Sequence, residues 1–96
     1  MQIIPMPRKG TVQEWLVRTG QIVLNGEHVA LVRANGLTEE VIHEGPSGRV
    51  TGLDHPGYQG SRQEGSHLIR IESDPQGVEA EIAKRKLIRA KNARRR

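Results

Sequence analysis

Residues 1–72 alternate brief runs of Val, Ile and Leu with glycine-marked breaks. The runs are Thr11-Val12-Gln13-Glu14-Trp15-Leu16-Val17, Gln21-Ile22-Val23, Glu27-His28-Val29-Ala30-Leu31-Val32, Arg49-Val50-Thr51-Gly52-Leu53 and Ser66-His67-Leu68-Ile69-Arg70-Ile71. Short aliphatic runs bounded by turn formers read as strands. Glycine suits the breaks, because tight turns need a positive φ that glycine adopts without steric cost. The breaks come too often for a helix anywhere in residues 1–72.

The punctuation repeats. Gly10 to Gly26 spans sixteen residues and Gly48 to Gly65 spans seventeen, and the aliphatic runs recur in register with them. One inserted residue in the turn-rich Gly57–Gly60 stretch reconciles the two halves. Between them Asn35-Gly36 separates two strand-like runs, a strong short-range hairpin signal because both turn positions tolerate positive φ. Strands over residues 28–33 and 38–43 are therefore expected to meet at a protruding turn. Gly45-Pro46-Ser47-Gly48 then leads into the second half.

In order and spacing, this pattern resembles the biotinyl/lipoyl domain family. The matching stretches are Met6-Pro7, Gly10 to Val17, the Gly20–Gly26 spacing, Gly45-Pro46-Ser47-Gly48-Arg49-Val50, and Gly65 to Ile71, covering residues 5–72. The resemblance implies an all-β fold, a flattened barrel of two pseudo-symmetric four-stranded sheets. It also implies a lysine at the tip of the central hairpin, whose ε-amine carries lipoate or biotin as an amide. Counting back from Gly48 by the family spacing lands on Leu37, and slipping the alignment offers Asn35, Gly36, Thr38 or Glu39. None is lysine, and no lysine occurs between Gly10 and Ala83. Arg33 is no substitute, because its guanidinium stays protonated. Lys9, in the lead-in to the first strand and far in sequence from the tip, reads as a solvated surface residue. The hairpin tip Asn35, Gly36, Leu37 thus replaces the family's attachment point, and no cofactor is expected.

The last residues differ in character. Residues 1–83 hold seven Lys/Arg and eleven Asp/Glu, a balance of −4, whereas residues 84–96 hold eight bases and no acid, a balance of +8. Ser73-Asp74-Pro75-Gln76 looks like a helix start: Ser or Asp can cap, Pro fits the first turn, and Ser73 with Gln76 fits a capping box. The run from Val78 to Lys91 has high helix propensity, with Glu81 and Arg85 spaced for an i,i+4 pair. Its aliphatics Val78, Ile82, Leu87, Ile88 and Ala90 make an imperfect stripe. The domain reading is a β unit over 1–72 and a basic helical or flexible tail over 73–96. The polyanion-contact candidates are Lys84, Arg85, Lys86, Arg89, Lys91, Arg94, Arg95 and Arg96. Engagement of all eight by DNA would give a log–log salt slope of about −7. Without interleaved aromatics, base-specific recognition is not expected.

Composition narrows the chemistry. The 96 residues include one Trp, one Tyr, no Phe and no Cys, so the core is aliphatic, and disulfides, thiolate metal sites and Cys nucleophiles are excluded. Trp15 reads as core or core-edge packing. His28, His43, His55 and His67 form no HxH or HxxxH pair, and they read as rim residues near strand starts rather than metal ligands. Glu39, Glu40 and Glu44 read as a solvated acidic edge that discourages edge-to-edge pairing. No Gly-x-Ser-x-Gly elbow, GxGxxG or Walker loop occurs. No catalytic or metal site is expected. No apolar run is long enough to span a bilayer and the N-terminus lacks the features of a signal peptide, so a cytoplasmic location is expected. The functional expectation is a non-enzymatic interaction or assembly module with an unknown protein partner. Its alternatives are nucleic-acid or anionic-surface binding through the tail, or an accessory subunit of an acyl- or carboxyl-transfer complex.

Overall fold

The structure is a computed structural model and describes residues 1–93. Seven strands precede one helix: β1 (Gln2–Pro5), β2 (Thr11–Trp15), β3 (Ile22–Val23), β4 (His28–Ala34), β5 (Leu37–Ile42), β6 (Gly48–Leu53), β7 (His67–Glu72) and α1 (Pro75–Ala93). They form two antiparallel sheets, ordered β1-β7-β6-β3 and β2-β4-β5.

The second sheet has three strands, not the expected four. Around the position where a further strand would run, Gly10 makes only an isolated bridge to Arg62. The Asp54–Glu64 stretch bends too sharply for a ladder, with His55 at φ 43. β1, by contrast, carries no glycine punctuation and forms only by pairing with β7, which a local reading does not detect.

Between the sheets lies one aliphatic core, with Met6, Val23, Val29, Val32, Val50, Leu68, Ile69 and Ile71 each no more than 2% exposed. Strand periodicity selects part of this set: in β4, Ala30, Val32 and Ala34 point inward while Arg33 points out. A register shift between His28 and Ala30 brings adjacent Val29 into the core as well.

The β4–β5 hairpin closes where Ala34 pairs with Leu37 across Asn35 (φ 53) and Gly36 (φ 77). Two successive positive φ values match the two-residue turn whose twist suits a hairpin, and a glycine at Gly36 makes its share free of strain.

α1 is capped by Asp74, whose Oδ1 accepts the Gly77 amide at 3.0 Å, with Pro75 in the first helical position. The cap is therefore Asp74 and not a Ser73–Gln76 box. Ser73 lies one residue too early for its side chain to meet the third helical amide.

Candidate functional site

Three places hold the residues singled out by the sequence: the hairpin tip, the buried polar groups, and the helix.

At the tip, Leu37 is 72% exposed, the largest solvent-facing aliphatic of the sheets. Leu37 is the first residue of β5, so the apex itself is Asn35-Gly36. Thr11 pairs with Arg33, and a Cβ on Gly10 would collide with the Arg33 carbonyl. The segment before β2 therefore runs alongside the hairpin. Lys9, remote from the tip in sequence, is brought to the tip's end of the molecule by this pairing. Arg8 donates from Nε to Glu39 at 3.0 Å, tying that segment to β5. Arg8, Ala34, Asn35, Leu37, Thr38 and Glu39 line a surface depression of about 300 Å³. Glu40 faces His28 at 3.2 Å, so two of the three edge carboxylates have a basic neighbour.

The buried polar groups are structural. His43 is 2% exposed, which corrects the expectation of a rim histidine. Its Nε2 lies 2.8 Å from the Pro46 carbonyl, and because a carbonyl only accepts, Nε2 holds the proton. Its backbone exchanges hydrogen bonds with Glu27 and Gly26, so the ring is drawn in as the chain leaves β5. Arg62 is a core residue that the sequence reading misses. Its side chain is 5% exposed, with Nη1 2.7 Å from Asp54 Oδ2 and Nη2 donating to the Asp54 and His55 carbonyls at 2.9 Å each. The guanidinium carbon sits 5.7 Å from the Trp15 ring centre and 5.2 Å from that of Tyr58. Trp15 is half-buried against the core, as expected. The only clue to Arg62 in the sequence is its place among the turn formers between Asp54 and Gly65. Among the described residues, no group of three or more His, Asp or Glu side chains is placed to hold a metal.

The helix is fastened at two points. Asp74 Oδ2 accepts from Arg49 Nε at 2.7 Å, and Arg49 Nη1 donates to the Gly20 carbonyl at 2.5 Å. The Gly77 amide, and after it the Arg49 guanidinium, hold the Asp74 carboxyl below its ordinary pKa. About three turns on, Arg85 reaches Glu27 with Nη2 and Glu81 with Nε, both at 3.0 Å. Glu27, then Glu81, raise the Arg85 pKa further. The i,i+4 pair is thus present, joined by a long-range partner the spacing does not reveal. Of the expected apolar stripe only Val78 is half-buried, while Ile82, Leu87 and Ile88 are exposed. Beyond Arg85 no described side chain is buried, and Lys86, Arg89 and Lys91 face solvent with Lys84. Arg94, Arg95 and Arg96 lie outside the described residues. No helix among the described residues is long and apolar enough to cross a membrane.

Compared with known proteins, the chain matches no family model and no curated protein.

Proposed function

We propose that this chain is a non-enzymatic assembly module built on a biotinyl/lipoyl-like barrel, not itself lipoylated or biotinylated. The observation that carries the reading is the central hairpin: an ordered two-residue turn at one end of a two-sheet aliphatic core, with Asn35-Gly36 at its apex. The two glycines that open the halves support the family likeness. A Cβ on Gly10 would collide with the Arg33 carbonyl, and one on Gly48 with the Glu72 carbonyl, so both mark the same kind of close strand approach. Gly26 and Gly65, sixteen and seventeen residues on, both have positive φ, at 87° and 83°. The buried polar side chains His43 and Arg62 are engaged in holding loops, which favours a scaffold over a catalyst. Docking through the exposed tip to a partner in an acyl- or carboxyl-transfer complex is consistent with this reading.

The test is intact-mass analysis after co-expression with a biotin ligase or a lipoate ligase. Wild type should gain no adduct. Leu37→Lys, which sets an amine at the exposed tip without backbone strain, should gain one from at least one ligase. An adduct on wild type, at Lys9 or elsewhere, overturns the non-carrier reading. Failure of Leu37→Lys with both ligases, in a folded protein, overturns the family likeness.

A further inference from the structure

We infer that α1 is a clamped cationic arm that binds the phosphate backbone of duplex nucleic acid without base specificity, with Arg85 serving as its anchor and not as a phosphate ligand. This does not depend on the assembly-module reading.

The clamp sorts the eight basic residues of 84–96 into two kinds. Arg85 is spent on Glu27 and Glu81. Lys84, Lys86, Arg89 and Lys91 have no carboxylate partner among the described residues and point into solvent. They fall within about two helical turns, a span of about 10 Å at ~1.5 Å per residue. The sequence adds three arginines at 94–96.

Three polyanionic partners compete for such an arm, and the geometry separates them. Firm attachment of a helix to an anionic membrane surface draws on an apolar face as well as on charge. The exposed Ile82, Leu87 and Ile88 instead sit about 100–140° apart around the axis, at ~100° per residue, so no orientation buries them together. A second copy of this chain offers carboxylates that are in part committed and otherwise dispersed. Five of its eleven acids already pair with arginines, namely Glu39, Asp54, Asp74, Glu27 and Glu81. The others are scattered over β2, β5, β7, α1 and two loops. Duplex nucleic acid presents one charge per about 1.7 Å on two backbones, and Lys84 with Lys91 and Lys86 with Arg89 leave opposite flanks of α1 at ~100° per residue, so a helix lying along a groove meets both backbones. Anchoring contributes as well. Because Asp74–Arg49 and Arg85–Glu27 join the helix to the body at both ends of about its first three turns, the cations are presented on an ordered support.

The experiment is fluorescence anisotropy of the full chain with a random-sequence DNA duplex across a salt series. With seven phosphates engaged, the slope of log affinity against log salt is about −6, so affinity rises roughly 6,000-fold between 200 and 50 mM salt. The quadruple variant K84Q/K86Q/R89Q/K91Q keeps helix-compatible side chains, with helicity checked by circular dichroism. It should retain only a roughly 40-fold rise. Singly, Lys86→Gln should lower the slope by about 0.9, while Arg85→Gln leaves it unchanged. No binding at low salt, or a quadruple variant with the wild-type slope, overturns the arm. An equal loss of slope in Arg85→Gln overturns the anchor assignment. Tighter binding to vesicles of anionic lipid than to the duplex at equal charge, or salt-sensitive self-association in sedimentation in place of DNA binding, overturns the choice of partner.

Discussion

Arg62 is the residue whose replacement tests the fold's energetics most directly. In Arg62→Met, three charge-assisted contacts disappear, to Asp54 Oδ2 and to the carbonyls of Asp54 and His55. A hydrogen bond to a charged group contributes about 1.5–3 kcal/mol, so simple addition would overstate the loss. Two features reduce it. The Asp54 side chain is 43% exposed, so water replaces the guanidinium there. Arg62 Nε is buried without a partner, and removing it relieves a desolvation cost of about 1–3 kcal/mol. Methionine keeps the apolar stem between Trp15 and Tyr58 but loses two cation–π contacts, about 0.5–1 kcal/mol each. The net expected destabilisation is about 2–5 kcal/mol, reaching the range for breaking a fully buried pair. For a domain of this size that lowers Tm by roughly 10–40 °C. Urea unfolding followed by circular dichroism measures the loss. Trp15, the only tryptophan, reports on the contact by fluorescence. Arg62→Lys keeps the charge but lacks the fork that spans Asp54 and His55, so it should fall near the methionine variant. A loss under about 1 kcal/mol with unchanged Trp15 emission would show that only the hydrocarbon stem matters, and would refute a structural role for the guanidinium.

Two further outcomes follow from core and cap. Ile69→Ala, at a site 1% exposed, should cost about 2–5 kcal/mol in urea unfolding, whereas Leu37→Ala at the exposed tip should stay within about 0.5 kcal/mol. Asp74→Ala should fray the start of α1 and lower the urea midpoint at neutral pH, read by far-ultraviolet circular dichroism. The Asp74 carboxyl has a lower pKa folded than unfolded, because the Gly77 amide and Arg49 favour its charge. Its contribution is therefore complete above the unfolded pKa and drains away as pH falls through the folded one. The gap between wild type and Asp74→Ala should close in strong acid, and a gap independent of pH would exclude the charged cap.

Features decided by residues close together along the chain are legible in the amino-acid sequence alone. Asn35-Gly36 specifies a hairpin because both its φ values are set within two residues, and β4 and β5 end within one residue of the expected limits. The helix, its proline in the first turn and the Glu81–Arg85 pair are equally local. Trp15 at the core edge follows from its place in an aliphatic strand. Each remaining feature needs a partner far along the chain, and only the folded arrangement supplies it. β1 exists only as a neighbour of β7, and the second sheet stops at three strands, with Gly10 and Arg62 making only an isolated bridge. His43 and Arg62 carry no local mark of burial: their side chains bond to nearby Pro46, Asp54 and His55, but the segments that cover them are distant, Gly26-Glu27 pairing with the His43 backbone and Trp15 lying over Arg62. The same holds at both ends of the functional reading. Strand pairing brings Lys9 to the end of the molecule that bears the hairpin tip, and Glu27, fifty-eight residues before Arg85, turns one of eight similar basic residues into an anchor.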